Sequence, residues 1–504
     1  MSVETHSVRQ ILRASAVIGG SSLFNVAVGI LRNKAMAILL GPAGFGLMAV
    51  YASIADLARS LAQVGINSSG VRQIAAATAS GDTARIAVTV AVLRRISWVL
   101  GLLGAGLVIA SSKSLSTWTF DSVEQAGPIA LLAGAVFFQI VSNAQCALIQ
   151  GLRRIGDLAK ISMVGGLTGT VAGVAIVSVL QERGIVLALV AAAALATLSS
   201  WWYSRRIQIP EAKAAWSELR SEARALLSLG IAFMASSLFT MGAAYLVRVI
   251  VLRDDGAEAA GWYQAAWTLG GLYVGFVLQA MSADFYPRLV ATITDDGKTN
   301  QLVNEQAHVS LLLAGPGVLA TLTLAPLVTT LCYSASFSPA VETLRWICLG
   351  MTLRVATWPM GFIVVARGDQ RLFMLIDLAW AVVNVGAAWF LVGSFGHRGA
   401  GIAFFLSYAF HGLILYPIVR RKSGFRWSRE TLAAGAIYLG SVSFVFIAFQ
   451  ALPASAALVV GLLATLAATL YSVRTLLQLA APDRLPVALQ RILPHLRRYE
   501  QRRT

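Results

Sequence analysis

The chain has 504 residues, 57% of them hydrophobic and only 12% charged, and its mean hydropathy is +0.72. A soluble protein of this length needs a far more charged surface, so composition excludes a soluble enzyme and implies a polytopic membrane protein. The net charge of +17 is not the footprint of a nucleic-acid binder. About three quarters of the Lys and Arg fall on one side of the spans that can be drawn, which is the positive-inside asymmetry.

The first ten residues are polar, and no small-residue cleavage site follows the first apolar run, which therefore reads as a retained span. That run, Ala14 to Leu40, ends on Gly41-Pro42-Ala43-Gly44-Phe45-Gly46. It matches the roughly 20 helical residues that cross a bilayer, yet it carries Arg32 and Lys34. Ser22, Asn25, Gly29 and Arg32 follow helical spacing and stack along one face. A charge at membrane depth costs roughly 2.5–3.5 kcal/mol on insertion scales, so such groups usually face a bundle interior or a watery cavity.

About fourteen spans can be drawn in chain order, each near the length of a bilayer-crossing helix. They begin near Ala14, Gly44, Ile86, Gly127, Ile161, Gly184, Leu226, Gly261, Ala307, Ala340, Leu372, Gly399, Leu432 and Ala454. From the second onwards the even connections are basic, with Arg72 and Arg85, Arg153 and Arg154, Arg205 and Arg206, Arg288 and Lys298, Arg367 and Arg371, and Arg420 to Lys422. The odd connections are poor in cations and hold Asp121, Glu124, Glu182, Asp254 and Asp255. This pattern predicts that both termini are cytoplasmic. Cys146, Cys332 and Cys348 lie in or beside spans without metal spacing and read as packing residues.

A pattern repeats along the chain. Ser21-Ser22-Leu23-Phe24 recurs as Ser236-Ser237-Leu238-Phe239, and a lone arginine follows each copy, Arg32 and then Arg248. Gln150 to Arg154 corresponds to Arg367 to Arg371, Arg183-Gly184 to Arg398-Gly399, and Arg205-Arg206 to Arg420-Arg421. The expected fold is therefore all-α, with two six-helix lobes at 1–207 and 226–422 related by an axis along the membrane normal. Two additional helices at 423–481 and a basic cytoplasmic tail at 482–504 would follow. The stretch at 208–225, with Trp216 and Leu219 among cations, fits either an interfacial helix or a plain linker.

The intramembrane cations are Arg32, Lys34, Arg59, Arg248, Arg345 and Arg354, and the acids placed deep in spans are Asp56 and Asp377. Asp56, Arg59 and Gln63 share a helical face, as do Asp377, Trp380 and Asn384. Carboxylates are thus outnumbered, and arginine does not shed its proton on burial. An anionic ligand such as a diphosphate would supply the missing charge, and Arg32, Arg248, Arg59, Lys34 and Arg354 are the candidate binding residues. Lys34 and Arg345 fit snorkelling to the outer interface equally well, and Arg354 pairing with Asp377 is a structural alternative. Asp56 and Asp377 are the candidates for ion coupling. Trp262, Tyr263 and Trp267 read as an outer aromatic belt. No phosphate-binding Gly-Lys-Ser/Thr motif or convergent catalytic set is visible, and no cofactor or metal is expected.

Arg32, the turn Leu40 to Gly46, and Val64-Gly65-Ile66 leading to Val71-Arg72-Gln73-Ile74 together resemble a known family. So does Phe285-Tyr286-Pro287-Arg288-Leu289. They are similar to the polysaccharide-biosynthesis flippases, the O-antigen translocase group of the multidrug/oligosaccharidyl-lipid/polysaccharide exporter superfamily. The resemblance covers about the first 420 residues. It implies two lobes opening alternately in a bacterial inner membrane, moving an undecaprenyl-diphosphate-linked oligosaccharide outwards for O-antigen or exopolysaccharide synthesis. Its partners would be that glycan, membrane lipids, and a polysaccharide polymerase and chain-length regulator, with Arg32 and Arg248 on the diphosphate. A cation-coupled multidrug exporter of the same superfamily, and a membrane glycan polymerase or ligase, are the competing readings.

Overall fold

The computed structural model describes residues 2–209 and 216–479. The first part of the expected linker and the basic tail at 482–504 lie outside the described residues. Among the described residues every regular element is helical. The chain runs α1 (Ser2–Gln63), α2 (Ile66–Ser80), α3 (Thr83–Phe120), α4 (Ala126–Gly151), α5 (Ile155–Leu180), α6 (Ile185–Ser204) and α7 (Trp216–Thr292). It continues as α8 (Asp296–Thr323), α9 (Ala325–Cys332), α10 (Ala340–Ala366), α11 (Gln370–Phe395), α12 (His397–Ser423), α13 (Arg429–Ala451) and α14 (Ala454–Leu479).

Among the described residues, nine helical segments are long and apolar enough to cross a membrane, or ten if α8 and α9, bent by 81°, form one span. The protein is an all-α polytopic membrane protein. Gly19–Gln63, with 45 residues, and Ile155–Ser204, with 50, are each long enough for two passes. The expectation of about fourteen passes counts these, and the two arms of α7, separately.

The breaks within α1 and α7 are set by glycine. Gly41 has φ 64° and ψ −174°, and Gly256 has φ 91° and ψ 176°. A Cβ is strongly disfavoured in that region, so each long apolar run must bend where its glycine stands. Two more left-handed positions recur in the same register: Arg153 with Gly368, and Gln181 with Gly396. All three pairs are 215 residues apart. The repeat in the residues is therefore also a repeat in backbone conformation. Even a cap recurs, since the Asp82 carboxylate accepts from Arg85 N–H at the start of α3 and that of Asp295 from Lys298 N–H at the start of α8.

One compact unit comprises residues 1–265, 329–340 and 384–400. In it α3 packs on α4, α4 and α5 pack on α6, and α1 packs on α5. The motif from Val64 to Ile74 is a corner. Val64 and Gly65 both have positive φ, and α2 then drives Ile66 and Ile74 into a cluster with Val90, Leu93 and Leu148. Thr89 of α3 donates to Glu222, tying α3 to the first turns of α7 at 2.7 Å. Phe45 packs edge-on against Tyr333 and Phe337, with centroids 5.3 and 5.7 Å away. The two glycine breaks also meet here. A Cβ on Gly46 would run into the Ala257 carbonyl, and one on Gly261 into the Pro42 carbonyl. Pro42 to Gly46 thus crosses Ala257 to Gly261 at backbone contact, as small residues allow between membrane helices.

The other unit comprises, among the described residues, 266–328, 341–383 and 401–479. Phe285 and Leu289, from the second family motif, are buried with Met360, Ile363, Val419 and Phe425. Asp369, in the α10–α11 turn, accepts a hydrogen bond from Lys422, which holds its carboxyl below the ordinary range. The two additional helices α13 and α14 pack against α8. There the Tyr438 ring occupies the space that a side chain at Gly315 would fill, and its hydroxyl hydrogen-bonds Ser472.

The Gly46–Gly261 crossing makes a direct prediction. Overpacking at such a contact costs about 1–3 kcal/mol, so Gly46→Ala and Gly261→Ala should each lower the thermal midpoint of the detergent-solubilised protein by several degrees. Gly242, within a helix and with open space at its Cβ position, is the control. Its change to Ala should leave the midpoint unchanged or slightly raised.

Candidate functional site

The cations placed at membrane depth fall into distinct environments. In the first unit, Lys34 donates to the carbonyls of Thr330 and Leu331 at 3.3 and 2.7 Å. These are carbonyls of the last turn of α9, so the ammonium sits where the helix dipole favours a cation. Arg59 lies 3.4 Å from the Asp56 carboxylate and donates at 3.4 Å to Gln63, which also accepts from Asn143 at 3.1 Å. The Asp56–Arg59 contact is long and Asp56 is exposed, so the acid remains accessible while neutralising part of its neighbour's charge.

Arg248 donates from Nε to Gln264 at 2.8 Å and from a terminal nitrogen to the Ala244 carbonyl at 2.9 Å. It also lies within electrostatic reach of Tyr263 and Asp56. Arg248 stands eight residues before Gly256 and Gln264 eight after it. The two meet because the arms of α7 fold back at the break. Helical periodicity within one run could not pair them; equal distance from a breaking glycine could.

Arg32 differs. It is exposed although it sits within the first apolar run, and among the described residues it makes no hydrogen bond or ion pair. The nearest electrostatic partner is Tyr333. Measured from the breaks, Arg32 precedes Gly41 by nine residues and Arg248 precedes Gly256 by eight. The two arginines are therefore one residue out of register, about 100° around a helix. That offset accounts for one guanidinium being held by its own hairpin and the other presented outwards.

In the second unit, Arg354 lies 5.9 Å from the Tyr408 ring centroid, and Tyr408 is also within electrostatic reach of Asp377. The phenol thus stands near both members of the pair considered from sequence. Arg345 stacks on Phe449 of α13 at 3.8 Å. That cation–π contact joins the second turn of α10 to the last turn of the first additional helix. The aromatic belt expected from Trp262, Tyr263 and Trp267 is not formed. Trp262 donates to the Ser336 carbonyl at 3.0 Å and packs on His397, Tyr263 is buried, and Trp267 packs on Phe404. Of the three, only Tyr263 is buried, and Trp262 and Trp267 keep part of their surface. Sequence reading missed Gln264, Asn143, Tyr333 and Tyr408, which are neutral residues that only tertiary contact brings to the cations.

Long helices broken at repeated glycines, with cations inside apolar runs, make this an all-α polytopic membrane protein, and transporters described as members of the multidrug/oligosaccharidyl-lipid/polysaccharide exporter superfamily share its fold. Solved structures have the same fold. An inward-facing multidrug-resistance transporter of the MATE family superposes with a TM-score of 0.67 at 14% identity, over 80% of this chain and 98% of its own. A transporter of that superfamily from Pyrococcus furiosus, described as having a binding pocket of reversed polarity, superposes at 0.57 with 16% identity over 82% and 95%. The model of the polysaccharide biosynthesis protein family matches residues 35–342, and the chain belongs to that family. It is 22% identical to a lipid III flippase of Escherichia coli (strain K12) over 401 residues, 79% of this chain and 95% of the relative.

The difference between the two arginines can be measured. Arg248→Ala removes two hydrogen bonds, so it should cost about 1–2 kcal/mol in the membrane and lower the thermal midpoint. Arg32→Ala removes no hydrogen bond, and both midpoint and membrane abundance should stay near wild type. Equal destabilisation by the two changes would refute the distinction.

Proposed function

We propose that the protein is a non-enzymatic flippase that moves an undecaprenyl-diphosphate-linked oligosaccharide from the cytoplasmic to the periplasmic leaflet of a bacterial inner membrane. The observation that carries this reading is Arg32, a permanent cation inside an apolar run, accessible and without a hydrogen bond or ion pair among the described residues. Its planar fork suits phosphate oxygens. Arg248 and Arg59 are already partly satisfied, so they offer fewer open donors. The polyprenyl tail would stay in lipid while the sugars follow a hydrated path, with the two six-helix lobes giving alternating access. The family, and the lipid III flippase relative, support a lipid-linked cargo. Asp56, accessible and loosely paired, is the better placed candidate for ion coupling, with Asp377 as the second.

The topology is open to a simple test. Reporter fusions after Arg206 and after Lys422 should both signal cytoplasm, and a fusion after Asp255 should signal periplasm. A periplasmic signal at Arg206 would break the six-plus-six arrangement.

Function is tested by rescue of a flippase-deletion strain, scoring surface polysaccharide beside membrane protein level. The wild-type chain should restore display, and Arg32→Ala should abolish it at normal abundance. Arg32→Lys keeps the charge without the fork and should give partial display. Full display by the Arg32→Ala, Arg248→Ala double variant would sink the cation-grip mechanism. Rescue of drug tolerance instead of glycan display would favour the multidrug exporter.

A further inference from the structure

A cleft lies in the first unit, with none of Arg32, Lys34, Arg59 or Arg248 in its lining. It opens between the α3–α4 connection and the break in α7 and encloses about 940 Å³, near the upper end of the roughly 300–1,000 Å³ of small-molecule clefts. Trp118 and Trp389 line it, 47% and 65% exposed. The lining also carries Asp121, Glu124 and Asp254 against one cation, Arg253. That cation is already engaged. Arg253 donates to the Trp118 carbonyl at 3.2 Å and lies 3.6 Å from the Asp121 carboxylate, which ties the two turns together. Glu124 and Asp254 are exposed and make no ion pair among the described residues.

The chemistry of this lining is selective. Three carboxylates against one guanidinium repel a phosphate or diphosphate, while Leu47, Phe120, Leu246 and Val249 make much of the remaining lining apolar. Carboxylates only accept hydrogen bonds, two or more each, so they suit a ligand rich in hydroxyl donors. An exposed indole offers a flat apolar face on which the C–H face of a pyranose ring can stack while the ring's hydroxyls stay at the edge. Two indoles and free carboxylates in one cleft therefore match a carbohydrate. We propose that this cleft is a carbohydrate-binding site that takes the sugar portion of the cargo, and not its diphosphate, on the exit side. The exit-side placement rests on the flippase reading and its topology, which puts the α3–α4 connection and the α7 break outside. On that reading Arg32 would take the diphosphate and this cleft the sugars of one amphiphilic cargo.

The test uses the full chain in lipid nanodiscs and saturation-transfer difference NMR. The probes are soluble oligosaccharides of neutral, amino and acidic sugars, each at millimolar concentration, and tetraphenylphosphonium as an organic cation. At least one neutral or amino-sugar oligosaccharide should bind, and Trp118→Leu with Trp389→Leu should weaken it at least about tenfold by removing both stacking faces. Trp118→Phe with Trp389→Phe should retain binding, which guards against a folding defect in the leucine pair. Glu124→Gln with Asp254→Asn, at exposed positions, should also weaken it. The proposal is overturned if no oligosaccharide binds, if binding survives in the leucine pair, or if only tetraphenylphosphonium shows tryptophan-dependent signals. These outcomes are separable from failure of the flippase reading. Deletion-strain rescue by the wild-type chain judges that reading without reference to the cleft.

Discussion

A guanidinium inside a membrane keeps its charge, and most of what is particular to this protein follows from that constraint. An apolar environment penalises the ion and protonation equilibria offer no escape, so each arginine needs a partner, an opening to water, or both. The chain uses several solutions. Lys34 takes the carbonyls at the end of α9, Arg59 takes Asp56 and Gln63, Arg248 takes Gln264, and Arg345 takes the face of Phe449. Arg32 keeps an accessible surface instead. A cation supplied with structural partners is scaffold first; one left accessible is available to a ligand.

Backbone geometry decides which cation is which. The arms of α7 fold back at Gly256, a position whose φ of 91° admits little but glycine. The hairpin then closes Gln264 onto Arg248 at 2.8 Å. In α1 the break at Gly41 is of the same kind, but Arg32 sits one residue further from it. One residue on a helix is about 100° of rotation, enough to move a side chain from inside a hairpin to its open face. Near-repetition with a one-residue slip thus separates an arginine held by its own hairpin from one left accessible.

Polarity is divided within the first unit. Cations cluster along the arms of α1 and α7, whereas the turns joining α3 to α4 and breaking α7 carry carboxylates and exposed indoles. An amphiphile with an anionic linkage and a hydroxyl-rich head group would find each part suited by a different region. Positive-inside bias would account for how few cations stand beside these acids. It does not explain why two tryptophans share a cleft with them.

Residue order alone determined the class, the positions of most helices, the repeat and the unusual cations. Those signals are local or periodic: apolar runs of bilayer length, charge alternation between connections, and glycine at the ends of runs. The 215-residue register in the residues reappears in the backbone at Gly41 and Gly256, Arg153 and Gly368, and Gln181 and Gly396. Helix α2 escaped notice because its 15 residues are too short and too polar to resemble a span. The cations could be named from the sequence, but their partners could not. Gln264, Tyr333, Tyr408 and Phe449 are neutral residues in unrelated stretches, and neither spacing nor charge marks them. Tyr263 reads as part of a membrane belt by sequence, yet it is buried beside Arg248. Composition and periodicity follow from solvation, which each residue meets by itself. Tertiary structure decided which charges are satisfied, because that depends on where two breaks bring distant helices together.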